Sequence, residues 1–318
     1  MSGTRPHEEG VLRLAQLSAC LARCPDLDSL VDSTLTALDE AFGYSHSLLL
    51  LVDESGERLY TIASRGYEAE GVGSEVRMGE GVVGMVAERA ESMRVGNLRH
   101  MLAYARRVRR IYEERGGEAP GHEIPLPGLP NAQSQVAVPA MVLGQVVGVL
   151  AIESETQMAF RVEDEALLGI VATLVASAIE IDWAHERAAS DAAAGEEAIR
   201  PATAPPSPAT TRVRFFAVDG STFLDGDYLI KGVAGRVLWV LLGHHAREGR
   251  IDFTNKEVRL DPSLELPEFR DNLESRLILL KRRLDERDAP IRIEKTGRGR
   301  FRLLVDGELR LEEVDADR

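Results

Sequence analysis

Along the first 190 positions the apolar residues run at helical spacing, switch to alternation, and return to helical spacing. Val11, Leu12, Leu14, Leu17, Cys20 and Leu21 form a stripe that predicts a helix over Glu8–Arg23, broken at Pro25. Val31, Leu35, Leu38 and Phe42 predict a second helix over Asp28–Phe42, stopped at Gly43. Strand patterns follow at Ser47–Asp53, Arg58–Ser64 and Glu75–Met78, then a short helix over 81–89 behind a cluster of glycines. Gln135–Leu143 and Val146–Glu153 predict a hairpin across Gly144, and a long amphipathic helix over Val162–Arg187 follows. This order predicts an α+β domain, an antiparallel sheet flanked by helices.

Residues 188–212, AASDAAAGEEAIRPATAPPSPATTR, are small, polar and Pro-rich at their end. Such composition buries too little to hold a fixed fold, so it predicts a flexible tether between two domains. Beyond it the pattern restarts. Short strands are predicted at Val213–Val218 and Gly220–Ile230, helices at Gly235–His244 and Glu268–Glu286, and a hairpin of Ile291–Lys295 with Arg300–Val305 across TGRG. The predicted organisation is an N-terminal helix in 1–27, a sensor domain in 28–187, the linker in 188–212, a second domain in 213–310 and an acidic tail in 311–318.

Charge separates these parts. The chain of 318 residues carries a formal net charge of -14. Residues 211–318 hold 21 basic and 21 acidic side chains, so all the net acidity lies in the first 210. That argues against nucleic acid or anionic membrane as a ligand of the first domain. The longest apolar runs, such as SLLLLV at 47–52, are strand-length, short of the roughly 20 residues a membrane span needs. The N-terminus, MSGTRPHEEG, lacks a signal pattern. Both features predict a cytoplasmic protein with no membrane partner. Cys20 and Cys24 share one helical face, with no further ligand at metal spacing, and read as packed apolar residues.

MGEGVVGMVAERAESMRVGNL (78–98) and SQVAVPAMVLGQVVGVLAIESETQMAFRVEDEALLGIVATLVASAIE (134–180) resemble the two signature halves of a GAF domain over about residues 28–182. The resemblance implies a pocket beside the sheet that takes a small molecule, and pairing through the terminal helices into a homodimer. Gly79, Gly81 and Gly84 permit close backbone approach as strand turns into helix, so Gly81 and Gly84 are candidate ligand contacts, or simply a tight turn. In the intervening segment 99–131, Tyr104 and Arg106 belong to a basic and aromatic run that either binds an anion or neutralises acidic surface. His100 and His122 are the loop candidates for a haem or metal ligand, but as lone loop histidines they read as solvated and no metal site is assigned; the identity of a small-molecule ligand stays open. With no paired nucleophile and base, the domain reads as a sensor and not an enzyme.

EKTGRGRFRLL (294–304) and SRLILLKRRL (275–284) resemble the wing and the recognition helix of OmpR/PhoB-type winged helix-turn-helix domains, over about 213–305. The second glycine of that wing pattern is missing. The resemblance implies DNA contact by Arg298, Arg300 and Lys295 at the wing and by Asn272 and Arg282 on the helix. Against it, Glu268, Asp271 and Glu286 share that helix face, and Ile278 and Leu279 are predicted exposed there, where a protein contact suits them better. Two functions are therefore expected from the sequence. One is a one-component transcriptional regulator in which a small-molecule or redox signal at the sensor controls DNA binding. The other is a signalling adaptor whose winged helix contacts a protein.

Overall fold

The computed structural model describes residues 6–53, 55–68, 71–98, 124, 126–192, 210–264, 273–297 and 299–314. Contacts divide the chain into two compact units, Met1–Asp182 and Trp183–Arg318.

In the first unit, helices α1 (Pro6–Leu21) and α2 (Leu27–Phe42) precede strands β1 (His46–Val52), β2 (Arg58–Arg65) and β3 (Glu75–Arg77). Helix α3 (Gly81–Arg89), β4 (Met93–Val95), β5 (Ser134–Val142), β6 (Gln145–Ser154) and helix α4 (Val162–Ala192) follow. Asp26 starts α2 by accepting the Ser29 amide, and Gly43 ends it in the left-handed region at φ 75°. The strands make one antiparallel sheet of order β3-β2-β1-β6-β5-β4. Leu48 and Leu50 of β1 pack with Val82, Val83 and Val86 of α3, which fixes one face of the sheet as the α3 face. Helix α2 lies against β1 and β2, and Arg65 of β2 reaches across to Asp39 at 3.0 Å.

Helix α4 buries Leu168, Val171, Ala172, Val175, Ala176 and Ile179, a stripe at i, i+3, i+4, i+7, i+8 and i+11. The uninterrupted run ALLGIVATLVASAI inside it corrects the expectation that no stretch has membrane-spanning length: residues 162–184 are long and apolar enough by length and composition, with a mean hydropathy of 1.7 over the best window. A soluble core helix with one buried stripe passes the same test. The helix also continues past Arg187 to Ala192, five residues into the stretch expected to be linker.

The second unit contains β7 (Thr210–Phe216), β8 (Ser221–Leu224), β9 (Asp227–Ile230), helix α5 (Gly232–Glu248), β10 (Asp252–Thr254) and helix α6 (Asn255–Arg259). A 3-10 turn (Pro262–Leu264), helix α7 (Leu273–Glu286), β11 (Ile291–Gly297), β12 (Arg300–Val305) and β13 (Glu308–Val314) complete it. Short β10, between the first two helices, joins the predicted hairpin in a three-stranded sheet of order β10-β12-β11. Phe253 and Phe301 stack across that sheet at 5.8 Å. A capping box of Thr254 and Glu257 starts α6. The other sheet has the order β13-β7-β8-β9. Its first strand corrects the expected acidic tail from 311: residues 308–314 pair in parallel with β7, and Arg212 binds Glu312. That strand was hidden by composition, because its alternation is carried by leucines among glutamates.

Candidate functional site

Strand alternation places the chemistry of the first unit. On β1 the residues sharing the α3 face with Leu48 and Leu50 include His46, and on β6 those sharing it with Val149 and Ala151 include Glu153. His46 and Glu153 are direct cross-strand partners. Gln135 of β5 opposes Glu153 from the other side, and its amide donates to Oε1 at 3.4 Å. The Leu129 amide donates to Oε2 at 2.8 Å. Tyr67, just beyond β2, packs its ring edge-on to His46 at 5.5 Å between centroids. Its hydroxyl is buried beside Glu153 without a hydrogen bond of good geometry.

Of these residues, His46 and Glu153 line a cleft of about 450 Å³ at the end of the sheet where β1 begins and β6 finishes. Phe42 and Tyr44 stack at 6.1 Å on one wall, and Phe160 lies 6.2 Å from Tyr44. The Tyr44 hydroxyl donates to Asp164, whose second oxygen accepts the Arg161 amide at 2.7 Å. Three carboxylates line the cleft, from Glu153, Glu155 and Asp164, and among the described residues no lysine or arginine does.

Burial sets the electrostatics. Desolvation raises the Glu153 carboxyl above its ordinary pKa, although the Leu129 amide and the Tyr67 hydroxyl pull the other way. Burial also raises the Tyr67 phenol, with the charge of Glu153 adding to it. The Tyr44 phenol is raised by burial first, then by its bond to Asp164. Among the described residues no cluster of three His, Cys, Asp or Glu stands at metal-ligating distance.

The predicted contacts fall elsewhere. Gly81 opens α3 at φ 63°. Gly84 lies against β3, where a Cβ would come within 2.3 Å of the Arg77 carbonyl oxygen. The structure thus gives both glycines work in the strand-to-helix turn. Tyr104, Arg106, His100 and His122 lie outside the described residues, as do Asn272 and Arg298. Cys20 and Cys24 are free thiols, and the reading of both as packed apolar residues is corrected: Cys20 is exposed and Cys24 half-buried.

In the second unit Arg300 is exposed at the start of β12, and Arg282 is half-buried on α7. Lys295 is held by Glu274, Nζ to Oε1 at 2.6 Å, while the other Glu274 oxygen accepts the Asn255 amide at 2.8 Å. Arg302 pairs with Asp252. The expectation of exposed apolar residues on α7 is corrected, since Ile278 and Leu279 are 5% and 2% exposed. The burial follows from the helix itself: from Leu273 to Leu280 every residue is buried, including Glu274, Ser275 and Arg276.

An antiparallel sheet flanked by helices, with a cleft at one end, defines an α+β class of fold. Residues 24–180 match the family model of the GAF domain, and this stretch of the chain is a GAF domain. Among solved structures the chain is similar to the GAF domain of a phosphoenolpyruvate-protein phosphotransferase from Acinetobacter. They share 23% identity over 59% of this chain and 97% of the other, with a TM-score of 0.43. The corresponding domain from Coxiella burnetii matches at 20% identity, 58% and 99% coverage and TM-score 0.43. A free methionine-R-sulfoxide reductase from Neisseria meningitidis, solved with its substrate, matches at 22% identity, 57% and 93% coverage and TM-score 0.42. No curated protein matches the chain.

Nothing in the local pattern of residues 145–153 singled out Glu153, a common residue at a strand end. Its neighbours come from β1, β5 and the turn after β2, so only the sheet order assembles the group. The retrievable signal was the alternation itself, which aims a lone acid at the face otherwise lined by valine and alanine.

Proposed function

We propose that the protein is a sensory regulator in which a small molecule in the GAF cleft controls a C-terminal winged helix that contacts DNA. The observation that carries the sensor half is Glu153, a partly buried acid in the lining of the cleft with no cationic partner among the described residues. Such a group costs stability and is kept where it serves binding. Ligand binding rather than catalysis suits a cleft whose Asp164 and Tyr44 are already occupied with each other.

For the output half, support comes from the order of elements: helix, short strand, helix, helix and hairpin, with the short strand completing the hairpin sheet. DNA contact is assigned to exposed Arg300 at the start of β12 and to its sequence neighbour Arg298, with Asn272 and Arg282 as secondary contacts. Lys295, tied to Glu274, is assigned to the fold. The adaptor reading loses its basis with the burial of Ile278 and Leu279. Exposed Val11 and Leu12 on α1 and Ile170 and Ile181 on α4 support a homodimer, which light scattering on the full chain would read as a doubled mass.

Retention of genomic DNA fragments by the full chain between about 50 and 200 mM salt tests the output. Retention should fall steeply with salt, and Arg300→Ala should weaken it for all sequences and reduce the salt slope by about one. Salt-independent retention, or none, would remove DNA from the proposal and leave the sensor half standing.

A further inference from the structure

The GAF cleft has three aromatic rings in its lining, and among the described residues its carboxylates stand with no lysine or arginine. Its rim rings, Phe42, Tyr44 and Phe160, stand within 6.2 Å of one another in sequence, and His46 is backed by Tyr67 on the sheet side. Among its three carboxylates, Asp164 is engaged by the Tyr44 hydroxyl and the Arg161 amide, and Glu155 is exposed. Glu153 remains. It accepts hydrogen bonds from an amide nitrogen on each oxygen, both neutral donors, and among the described residues neither arginine nor lysine pairs with it.

Neutral amides orient a carboxylate without cancelling its charge. A desolvated charge left uncancelled is a cost that an incoming cation would relieve. An anion would meet three carboxylates with no lysine or arginine among the described lining residues to offset them, and a neutral apolar ligand would leave Glu153 without a counter-charge. Aromatic faces attract a desolvated cation through their quadrupoles. A volume of about 450 Å³ falls within the range of small-molecule sites.

Resting on the sensor reading above, we propose that the cleft binds a small organic cation, an amine or quaternary ammonium, with Glu153 as its counter-charge and the Phe42, Tyr44 and Phe160 rings as its walls. Because the charge sits at a strand end and the rings at the cleft rim, the cationic head enters toward the sheet and any polar tail points outward past Glu155.

Isothermal titration calorimetry of the full chain at pH 7 tests this with three probes: choline, ethanolamine, and 3,3-dimethylbutan-1-ol, the uncharged isostere of choline. At least one cation should bind, at least tenfold more tightly than the isostere. Glu153→Gln should abolish that preference while the far-ultraviolet circular dichroism of the protein stays that of wild type. Equal binding of choline and its isostere would overturn the proposal on the wild-type protein alone, as would cation binding undiminished in Glu153→Gln. Failure of both cations to bind would overturn it as well. The sensor reading survives each of these results if another small molecule, inorganic phosphate or a neutral metabolite, binds in a way that Glu153→Gln alters. It falls if nothing does.

Discussion

Glu153 is the residue on which the sensor half turns, and its burial has a measurable consequence. A carboxyl whose pKa is raised by folding binds more protons folded than unfolded over the interval between the two values. Stability therefore falls as pH rises from the ordinary carboxylate range, about 4.3, through the raised folded value. Glu153→Gln keeps the shape and removes the charge. By differential scanning calorimetry the variant should melt above wild type at pH 7, and the gap should close at pH below about 4. A variant that melts at or below wild type at pH 7 would mean that the carboxylate is stabilised where it stands. None of this was legible in the sequence at residue scale. A glutamate ending a strand is ordinary, and its cost appears only when β1 and β5 close around it. The glycines, conversely, were legible as a cluster but not as to role: Gly84 is small because the Arg77 carbonyl leaves no room, a packing reason that spacing cannot tell from a ligand contact.

At the scale of elements, the helices and long strands follow the apolar periodicity closely, because burial of one face is what sets both. Helix α2, strand β2 and the hairpin β5–β6 fall within two residues of their expected ends. The misses are elements whose partners are distant or whose length is marginal. Strand β4 is three residues, too short to show alternation, and β13 finds its partner in β7 at the opposite end of the unit. The basic stretch from Lys295 to Arg302 illustrates the same limit. Periodicity placed its cations on a hairpin, but not the acids that meet them, Glu274 from α7 and Asp252 from β10. Lys295→Ala would leave Glu274, 6% exposed, with the Asn255 amide as its remaining described partner. Lys295 is itself partly exposed, so the loss should be about 2 to 3 kcal/mol in urea denaturation, below that of a fully buried pair. Unchanged stability with weakened DNA retention would instead return Lys295 to the nucleic-acid surface.

For the whole molecule, the proposed division of sensing from output falls on two units of different architecture. The acidic first unit holds the GAF domain and its cleft, and residues 211–318 of the second, where basic and acidic side chains balance, hold the hairpin with its exposed arginine. A ligand can shift the output only by as much as it prefers one arrangement of the chain over another, so coupling requires first that the cleft be occupied. Occupancy is therefore the direct test. Thermal-shift measurement of the full chain against a broad metabolite set, run in parallel on wild type and Glu153→Gln, reads it without assuming the ligand's chemistry. At least one compound should raise the wild-type melting temperature in a concentration-dependent way, and that rise should vanish in Glu153→Gln. A set of hits that stabilise both proteins equally, or no hit on wild type, would contradict a sensing cleft built around Glu153.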